Sequence, residues 1–362
     1  MTRFRYDALP GRVIFGAGCS TSELEPELHR LGARRVLLVV TDQERALADQ
    51  LTESVGDLIV GAFCAVRAHV PATTVKAVLA VAQKSEADAV LSIGGGSTTG
   101  TAKAVALHTS LPILAVPTTY AGSEMTPIWG VTAGGHKTTG RDLAVLPRTV
   151  LYDPDLTASL PVSLTVSSAL NAMAHCVEAL YAPGANPVTT LVAVEGIRAL
   201  AAGLIPITAD QHDCAARSDL LYGAYLAGSA FAVAGSGLHH KICHVLGGAF
   251  DLPHAETHAV VLPHVTAFNE PAVPNMRRAA EALGSDTVAA GLFRLNAAVG
   301  APTSLLDIGM PPEGLDTAVG MVMEKDLSDN PRPVMSRDVR SILSAAMHSD
   351  QLIQSAAMLA SR

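Results

Sequence analysis

The stretch "AVLSIGGGSTTGTAK", Ala89–Lys103, decides the fold. A short apolar run ends in three glycines, and the residues beyond them follow helical spacing, so a strand turns sharply into a helix. Gly94, Gly95 and Gly96 let the backbone approach a phosphate closely and present its N–H groups. The helix that follows adds the partial positive charge of its N-terminus. The pattern is neither G-x-G-x-x-G nor a Walker loop, so by itself it does not name a ligand. An ordinary tight turn uses the same residues. Lys103 reads either as a phosphate contact or as a solvated lysine.

Working outward, "RVLLVV" (Arg35–Val40), "PILAVPTT" (Pro112–Thr119) and "RTVLYD" (Arg148–Asp153) are further β-rich runs. Helical patterns cover 43–54, 74–85 and 99–108. This alternation predicts a parallel sheet flanked by helices. Beyond residue 155 Ala and Leu dominate and β-branched clusters thin out. The expectation is an α/β dinucleotide-binding domain over 1–155 and an all-α domain over 156–362, with the active site in the cleft between them. Asp42, ending "LLVVTD", either accepts hydrogen bonds from an adenosine ribose, favouring NADH over NADPH, or caps a helix. "PTTYAGSEMTP" (Pro117–Pro127) also follows a strand. Its Thr118, Thr119 and Ser123 are candidates for the cofactor and Tyr120 for the substrate, beside plain turn chemistry.

Of the 362 residues 49% are hydrophobic and 16% charged, and the net charge is -8. That balance argues against a nucleic-acid surface, which needs clustered Lys and Arg. The first residues lack the apolar core of a signal peptide, and no uninterrupted apolar run has the length of a membrane span. Five scattered cysteines without C-x-x-C spacing read as reduced thiols, so the expected location is cytoplasmic.

Six of the thirteen histidines fall within "GLHHKICHVLGGAFDLPHAETHAVVLPH", residues 237–264. His240 and His244 are one turn apart on a helix expected to end at Gly247–Gly248, and His254 follows Pro253. Asn171 and His175 in "NAMAHCVEAL" share a helix face by their i, i+4 spacing. A lone histidine is usually structural. A cluster points instead to acid–base chemistry or metal ligation.

The succession "GGGSTTGTAK", "PTTYAGSEMT", "NAMAHCVEAL" and "HHKICHVLGGAFDLPH" resembles the iron-containing, group III alcohol dehydrogenase superfamily over nearly the whole chain. The resemblance implies the two-domain fold above, a nicotinamide cofactor and a homodimer. In metal-dependent members an Asp and a His four apart bind the metal with two further histidines. The matching positions here are Asn171, His175, His240 and His254, with His244 as an additional pocket histidine. Two residues depart from the pattern: Asn171 replaces the carboxylate ligand, and Gly100 replaces the Asp of "GGGSxxDxAK". Together with "PHAETHAVVLPH" and "DNPRPV" (Asp329–Val334), they resemble the branch that reduces maleylacetate to 3-oxoadipate with NADH or NADPH in bacterial aromatic catabolism. That branch is held to work without iron, so no metal is expected here.

The chemistry agrees with such a departure. Alcohol oxidation needs a Lewis acid to stabilise an alkoxide. An alkene conjugated to a ketone instead takes hydride at the carbon β to the carbonyl, and a donor or protonated histidine can stabilise the enolate. Asn171 also spares a dianionic substrate a like-charge contact of roughly 4 kcal/mol at ~4 Å in intermediate dielectric. Lys241, Lys137, Arg141 and Arg332 are candidate carboxylate partners. His244 and His240 are expected to share the roles of enolate stabiliser and proton donor, in either order, and Glu178 reads as structural. The competing expectations are a metal-dependent alcohol or aldehyde dehydrogenase and a non-catalytic NADH-binding sensor.

Overall fold

The structure, a computed structural model, describes residues 3–134 and 136–348. Residues 349–362 of the helical half, and Gly135 of the "GGHKTTGRD" segment, lie outside the described residues. The chain divides into two compact units, one of them Ala8–Leu160 and the other made of the described residues from Pro161 onward together with residues 3–7. The last strand of the Ala8–Leu160 unit runs into a 3-10 turn at Pro154–Thr157 capped by Asp153.

The Ala8–Leu160 unit is built on a six-stranded sheet, β1 (Arg12–Phe15), β2 (Val36–Val39), β3 (Ile59–Phe63), β4 (Ala89–Gly94), β5 (Ile113–Pro117) and β8 (Thr149–Tyr152). Its order is β1-β8-β5-β4-β2-β3 and every pairing is parallel. β2, β4 and β5 are buried along their whole length, which is why they read as continuous apolar runs rather than alternating ones. Helices α1 (Cys19–Ser22), α2 (Leu24–Arg30), α3 (Arg45–Leu51), α4 (Ala72–Ser85) and α5 (Gly96–Thr109) complete the crossovers. Leu24, Leu28, Ala48 and Leu51 pack on Leu38, Leu91, Leu114 and Leu151 of the sheet. β6 (Ile128–Ala133) and β7 (His136–Arg141) form a separate antiparallel hairpin.

The second unit is helical: α6 (Val162–Ala179), α7 (Pro187–Ala209), α8 (Cys214–Ala234), α9 (Leu238–Phe250), α10 (His254–Asn269), α11 (Met276–Ala282), α12 (Val288–Ala298), α13 (Leu315–Met323) and α14 (Ser336–Met347). Asn186 starts α7 with a capping box, and Asp213 caps α8 through the N–H of Ala216. α9 runs on through Gly247 and Gly248 to Phe250, where Asp251 in the left-handed region stops it. Leu238, Ile242 and Leu246 of α9 form a core with Val261 and Val265 of α10 and with α13 and α14. By length and composition α7 is apolar enough to cross a membrane, and half of that stretch is buried. All five cysteines are free.

Candidate functional site

Two constellations emerge, one in each unit. In the sheet unit, Gly94 closes β4 with φ +147°, and a Cβ there would lie 2.5 Å from Thr98 Oγ1 and 2.6 Å from Glu44 Oε2. No side chain fits. Gly95, Gly96 and Ser97, half-buried, form the start of α5, so their first-turn N–H groups have no intrahelical acceptor. Thr119 flanks Gly95, its methyl 2.9 Å from a Cβ built there. Such a turn holds a phosphate by backbone donors, and the residues fit a dinucleotide.

Lys103 is not a phosphate contact. It is fully buried, and its Nζ donates to the carbonyls of Ser123 (2.6 Å), Thr126 (2.8 Å) and Ile128 (2.8 Å), with both hydroxyls of Ser123 and Thr126 also in range. Burial pushes its ammonium down to about 7, opposed by the Glu124 carboxylate. Three carbonyl acceptors, however, require three N–H donors, which only the charged form has. Lys103 therefore fastens the segment after β5 to α5. Glu124, itself buried, accepts from Tyr152 Oη at 2.6 Å and secures the same segment to β8. Ser123 is thus engaged by Lys103, and Tyr120 is fully enclosed, so a substrate contact at Tyr120 is not supported.

Asp42 stands exposed in a 3-10 turn, Asp42–Glu44, capped by Thr41. The carboxylate that meets the glycine turn belongs to Glu44, two residues on. Its Oε1 accepts from Thr118 Oγ1 at 2.5 Å and its Oε2 from Thr41 Oγ1 at 2.8 Å.

In the helical unit, His240, His244, His254 and His258 close a ring. Centroid separations are 6.0 Å for His240–His244, 6.4 Å for His244–His254, 4.3 Å for His254–His258 and 4.6 Å for His258–His240. His244 and His254 are exposed while His240 and His258 are buried, so the ring opens to solvent on one side. His175 stacks on His240 at 5.2 Å, and Phe231 packs against both. Behind them His239 Nε2 and His258 Nδ1 share a hydrogen bond of 2.9 Å. Burial first, and neighbouring imidazoles second, push His175 and His258 well below the usual histidine range; burial likewise takes His239 down to about 3. These three are neutral at pH 7.

Glu178, fully buried, anchors the ring. Its Oε2 is bonded to His240 Nδ1, and its Oε1 accepts from the backbone N–H of His239 (2.8 Å) and His240 (3.4 Å) and from Tyr181 Oη (3.3 Å). Burial works to raise its carboxyl, but the charge and hydrogen bond of His240 outweigh this and hold it down at about 2. The carboxylate fixes His240 with Nδ1 as donor and leaves Nε2 to act in the ring. Glu178 is one turn from His175 and His258 one turn from His254 in "HAETH"; that spacing is the only sequence signal either carries.

Among the other candidate cations, Lys241 donates to Asp329 Oδ1 (2.5 Å) and the Asp326 carbonyl (2.7 Å). Arg332 donates to the Phe268 carbonyl (3.0 Å) and lies 4.3 Å over that ring. Both fasten the "DNPRPV" loop to α9 and α10. Lys137 and Arg141 lie exposed on β7.

The resemblance implies an iron site at the positions of Asn171, His175, His240 and His254. Asn171 Oδ1 and His175 Nδ1 are buried and without hydrogen-bond partners among the described residues, so both keep unused capacity for a polar contact. Yet the set contains no anion, and the nearby carboxylate, Glu178, is committed to His240. Iron(II) favours a carboxylate beside imidazoles, so these residues do not fit it. One nitrogen each of His239, His240 and His258 lie within 4.8 Å of one another, but His239 and His258 already bond to each other.

The chain belongs to the iron-containing alcohol dehydrogenase family: residues 10–154 match the iron-containing alcohol dehydrogenase model, and residues 165–347 match the C-terminal model of the Fe-containing alcohol dehydrogenase family. Within it, the chain is 50% identical to the maleylacetate reductase of Sphingobium indicum over 95% of its own length and 97% of that protein's. It is 49% identical to the maleylacetate reductase of Burkholderia cepacia, covering 96% and 98%. Among solved structures, the maleylacetate reductase of Agrobacterium tumefaciens superposes with a TM-score of 0.93 at 43% identity, covering 96% and 99%. An iron-containing alcohol dehydrogenase from Corynebacterium glutamicum superposes at 0.94 with 47% identity, covering 97% and 99%.

Proposed function

We infer that this chain reduces the C=C bond of maleylacetate to give 3-oxoadipate, using NAD(P)H and no metal. The observation that carries the reading is the histidine ring with an amide, Asn171, where a metal site would need a carboxylate, in a chain half identical to maleylacetate reductases. The Gly94–Ser97 turn would hold the cofactor, which would supply the hydride taken up at the alkene carbon β to the ketone. The alkene π pair becomes the new double bond between the α carbon and the carbonyl carbon, and the carbonyl π pair moves onto oxygen, giving an enolate. His240, held by Glu178, carries a proton at Nε2 and stabilises that oxygen. The exposed His244, one turn along α9, delivers a proton to the carbon α to the ketone. One hydride and one proton are taken up, and no other oxidant or reductant is required. Asn171 adds no charge to the ring, so a dianion enters without repulsion from that position, and Lys137 and Arg141 are candidates for a substrate carboxylate. NADH is the preferred cofactor, and the protein acts as a cytoplasmic homodimer.

The test is NADH oxidation by EDTA-treated protein of measured metal content, with fresh maleylacetate in one assay and simple aldehydes in another. Turnover of maleylacetate by metal-free protein, with little aldehyde activity, supports the reading. Activity confined to aldehydes and restored only by Fe²⁺ overturns it. Light scattering on the eluting protein checks the dimer.

A further inference from the structure

The "DNPRPV" loop, residues 329–334, lies at the surface, yet one of its side chains leads inward. Asn330 and the fully buried Asn269, the last residue of α10, exchange two hydrogen bonds. Asn269 Nδ2 donates to Asn330 Oδ1 (3.0 Å), and Asn330 Nδ2 donates to Asn269 Oδ1 (2.8 Å). Asn330 Nδ2 also donates to the Arg332 carbonyl at 2.9 Å, which fixes how that amide sits. Asn269 bonds as well to the Tyr181 hydroxyl. Burial pushes the Tyr181 phenol well above its usual range and the Asn269 bond works the other way, as a donor to the phenol oxygen does. Tyr181 Oη in turn donates to Glu178 Oε1 at 3.3 Å, and Glu178 Oε2 is bonded to His240 Nδ1. An unbroken chain of hydrogen bonds therefore runs from the loop to the histidine ring: Asn330, Asn269, Tyr181, Glu178, His240.

Each link has one direction. An amide nitrogen carries two hydrogens, and those of Asn269 go to Asn330 and to Tyr181. The phenol oxygen has then accepted, and its single hydrogen is left for Glu178. Packing holds the middle of the chain in place: a Cβ on Gly237, at the head of α9, would come 2.9 Å from Tyr181 Cε2 and 3.1 Å from Glu178 Oε1. The same loop also grips α9 one residue beyond His240, where Asp329 meets Lys241 at 2.5 Å. A buried polar network of this kind adds little net stability over apolar packing, but when every member is satisfied it specifies a single geometry. The geometry specified here is that of the carboxylate against His240.

We propose that Tyr181, Asn269 and Asn330 are positioning residues for the reduction: in series they aim the Glu178 carboxylate at His240, and so tie the "DNPRPV" loop to the reacting end of the ring. The proposal rests on the maleylacetate reading above and deepens it. None of the three touches substrate. Their effect reaches the reaction through Glu178 alone, so they act on the rate of the chemical step and not on the binding of either reactant.

The experiment measures steady-state kinetics of the full-length protein with maleylacetate and NADH for wild type, Tyr181→Phe, Asn269→Ala, Asn330→Ala, Glu178→Gln and the double variant Tyr181→Phe/Glu178→Gln. Melting temperature is recorded for each. Tyr181→Phe removes one hydroxyl and keeps the ring that packs on Gly237, so it decides the matter even if Asn269→Ala fails to fold. The expected result is a kcat lower by roughly three- to tenfold in Tyr181→Phe, with both KM values within about twofold of wild type. Asn330→Ala should lower kcat in the same sense. In the Glu178→Gln background Tyr181→Phe should cost less than about twofold more, because the two act as one unit. A kcat unchanged in Tyr181→Phe while the melting temperature falls overturns the proposal, since the network would then serve stability only. So does an equal fold-loss in both backgrounds, which would separate Tyr181 from Glu178. An unchanged kcat in Asn330→Ala overturns the part given to the loop, and a rise confined to KM would make it a binding element instead. Wild type that does not turn over maleylacetate overturns the reading of the function itself, a failure that no comparison among variants could produce.

Discussion

Replacing Glu178 by Gln tests the histidine ring at its carboxylate anchor. The substitution preserves size, and the geometry dictates how the amide will sit. On the Oε1 side the two backbone N–H groups, of His239 and His240, and Tyr181 Oη donate or can donate. The amide oxygen must stay there, so the NH₂ turns to His240 Nδ1. That forces His240 to accept at Nδ1 and carry its hydrogen on Nε2 in the neutral form, and it removes the counter-charge that supports an imidazolium. A hydrogen bond to a charged group contributes roughly 1.5–3 kcal/mol, which converts to roughly a 10- to 150-fold fall in kcat. KM for NADH should change less than about twofold, because the cofactor turn lies on other elements. Steady-state kinetics with maleylacetate would measure both. A variant that kept wild-type kcat while its melting temperature fell would refute the reasoning, because Glu178 would then serve only to cap α9. The pH response supplies a second readout. The Glu178 carboxyl is depressed from 4.5 to about 2 in the folded protein, so its contribution to stability is present above about 4.5 and lost as pH falls through about 2. Denaturant unfolding between pH 5 and pH 2 should show a steeper loss in wild type than in Glu178→Gln.

Asn171→Asp should restore the anionic ligand: the protein would then hold about one Zn²⁺ or Fe²⁺ per chain by elemental analysis, and kcat/KM for maleylacetate should fall at least tenfold from like-charge repulsion. No gain in metal would mean that these positions do not converge on one ion. Lys103→Met strands three buried carbonyls at roughly 1–3 kcal/mol each, so a loss of about 3 kcal/mol or more is expected, read as a melting temperature lower by about 6–12 °C. Gly100→Asp puts a Cβ 2.8 Å from Val70 Cγ2, an overpacking of about 1–3 kcal/mol that calorimetry would detect. It also gives a physical reason why the family's Asp is absent here.

The buried strands were legible because burial on both faces makes a strand an apolar run; β2, β4, β5 and β8 lie within a residue or two of their sequence bounds. The edge strands were not. Arg12–Phe15 is half-exposed and short, and Ile59–Phe63 carries Gly61, so neither has the composition of a central strand. The hairpin β6–β7 is largely exposed and polar on β7, which leaves no apolar pattern to read. Histidine density announced the ring, and helical spacing paired Asn171 with His175. What stayed hidden was the choice of partner. Lys103, Lys241 and Arg332 all carry charge in suggestive places, and each is satisfied by carbonyls or a carboxylate far along the chain. Glu44 and Asp42 are two residues apart in one turn, and only the threonines brought in by β2 and β5 distinguish them.

The Lys103 tether bears on how much entropy the cofactor must remove when it binds. With its ammonium shared among Ser123, Thr126 and Ile128, the segment after β5 cannot swing open without exposing a buried charge or leaving carbonyls bare. That segment and α5 therefore open as one cooperative unit, and their amides should exchange with solvent at a common rate set by the whole sheet. A cofactor arriving at the Gly94–Ser97 turn meets a surface already cast in its bound shape, so little ordering remains to offset its contacts.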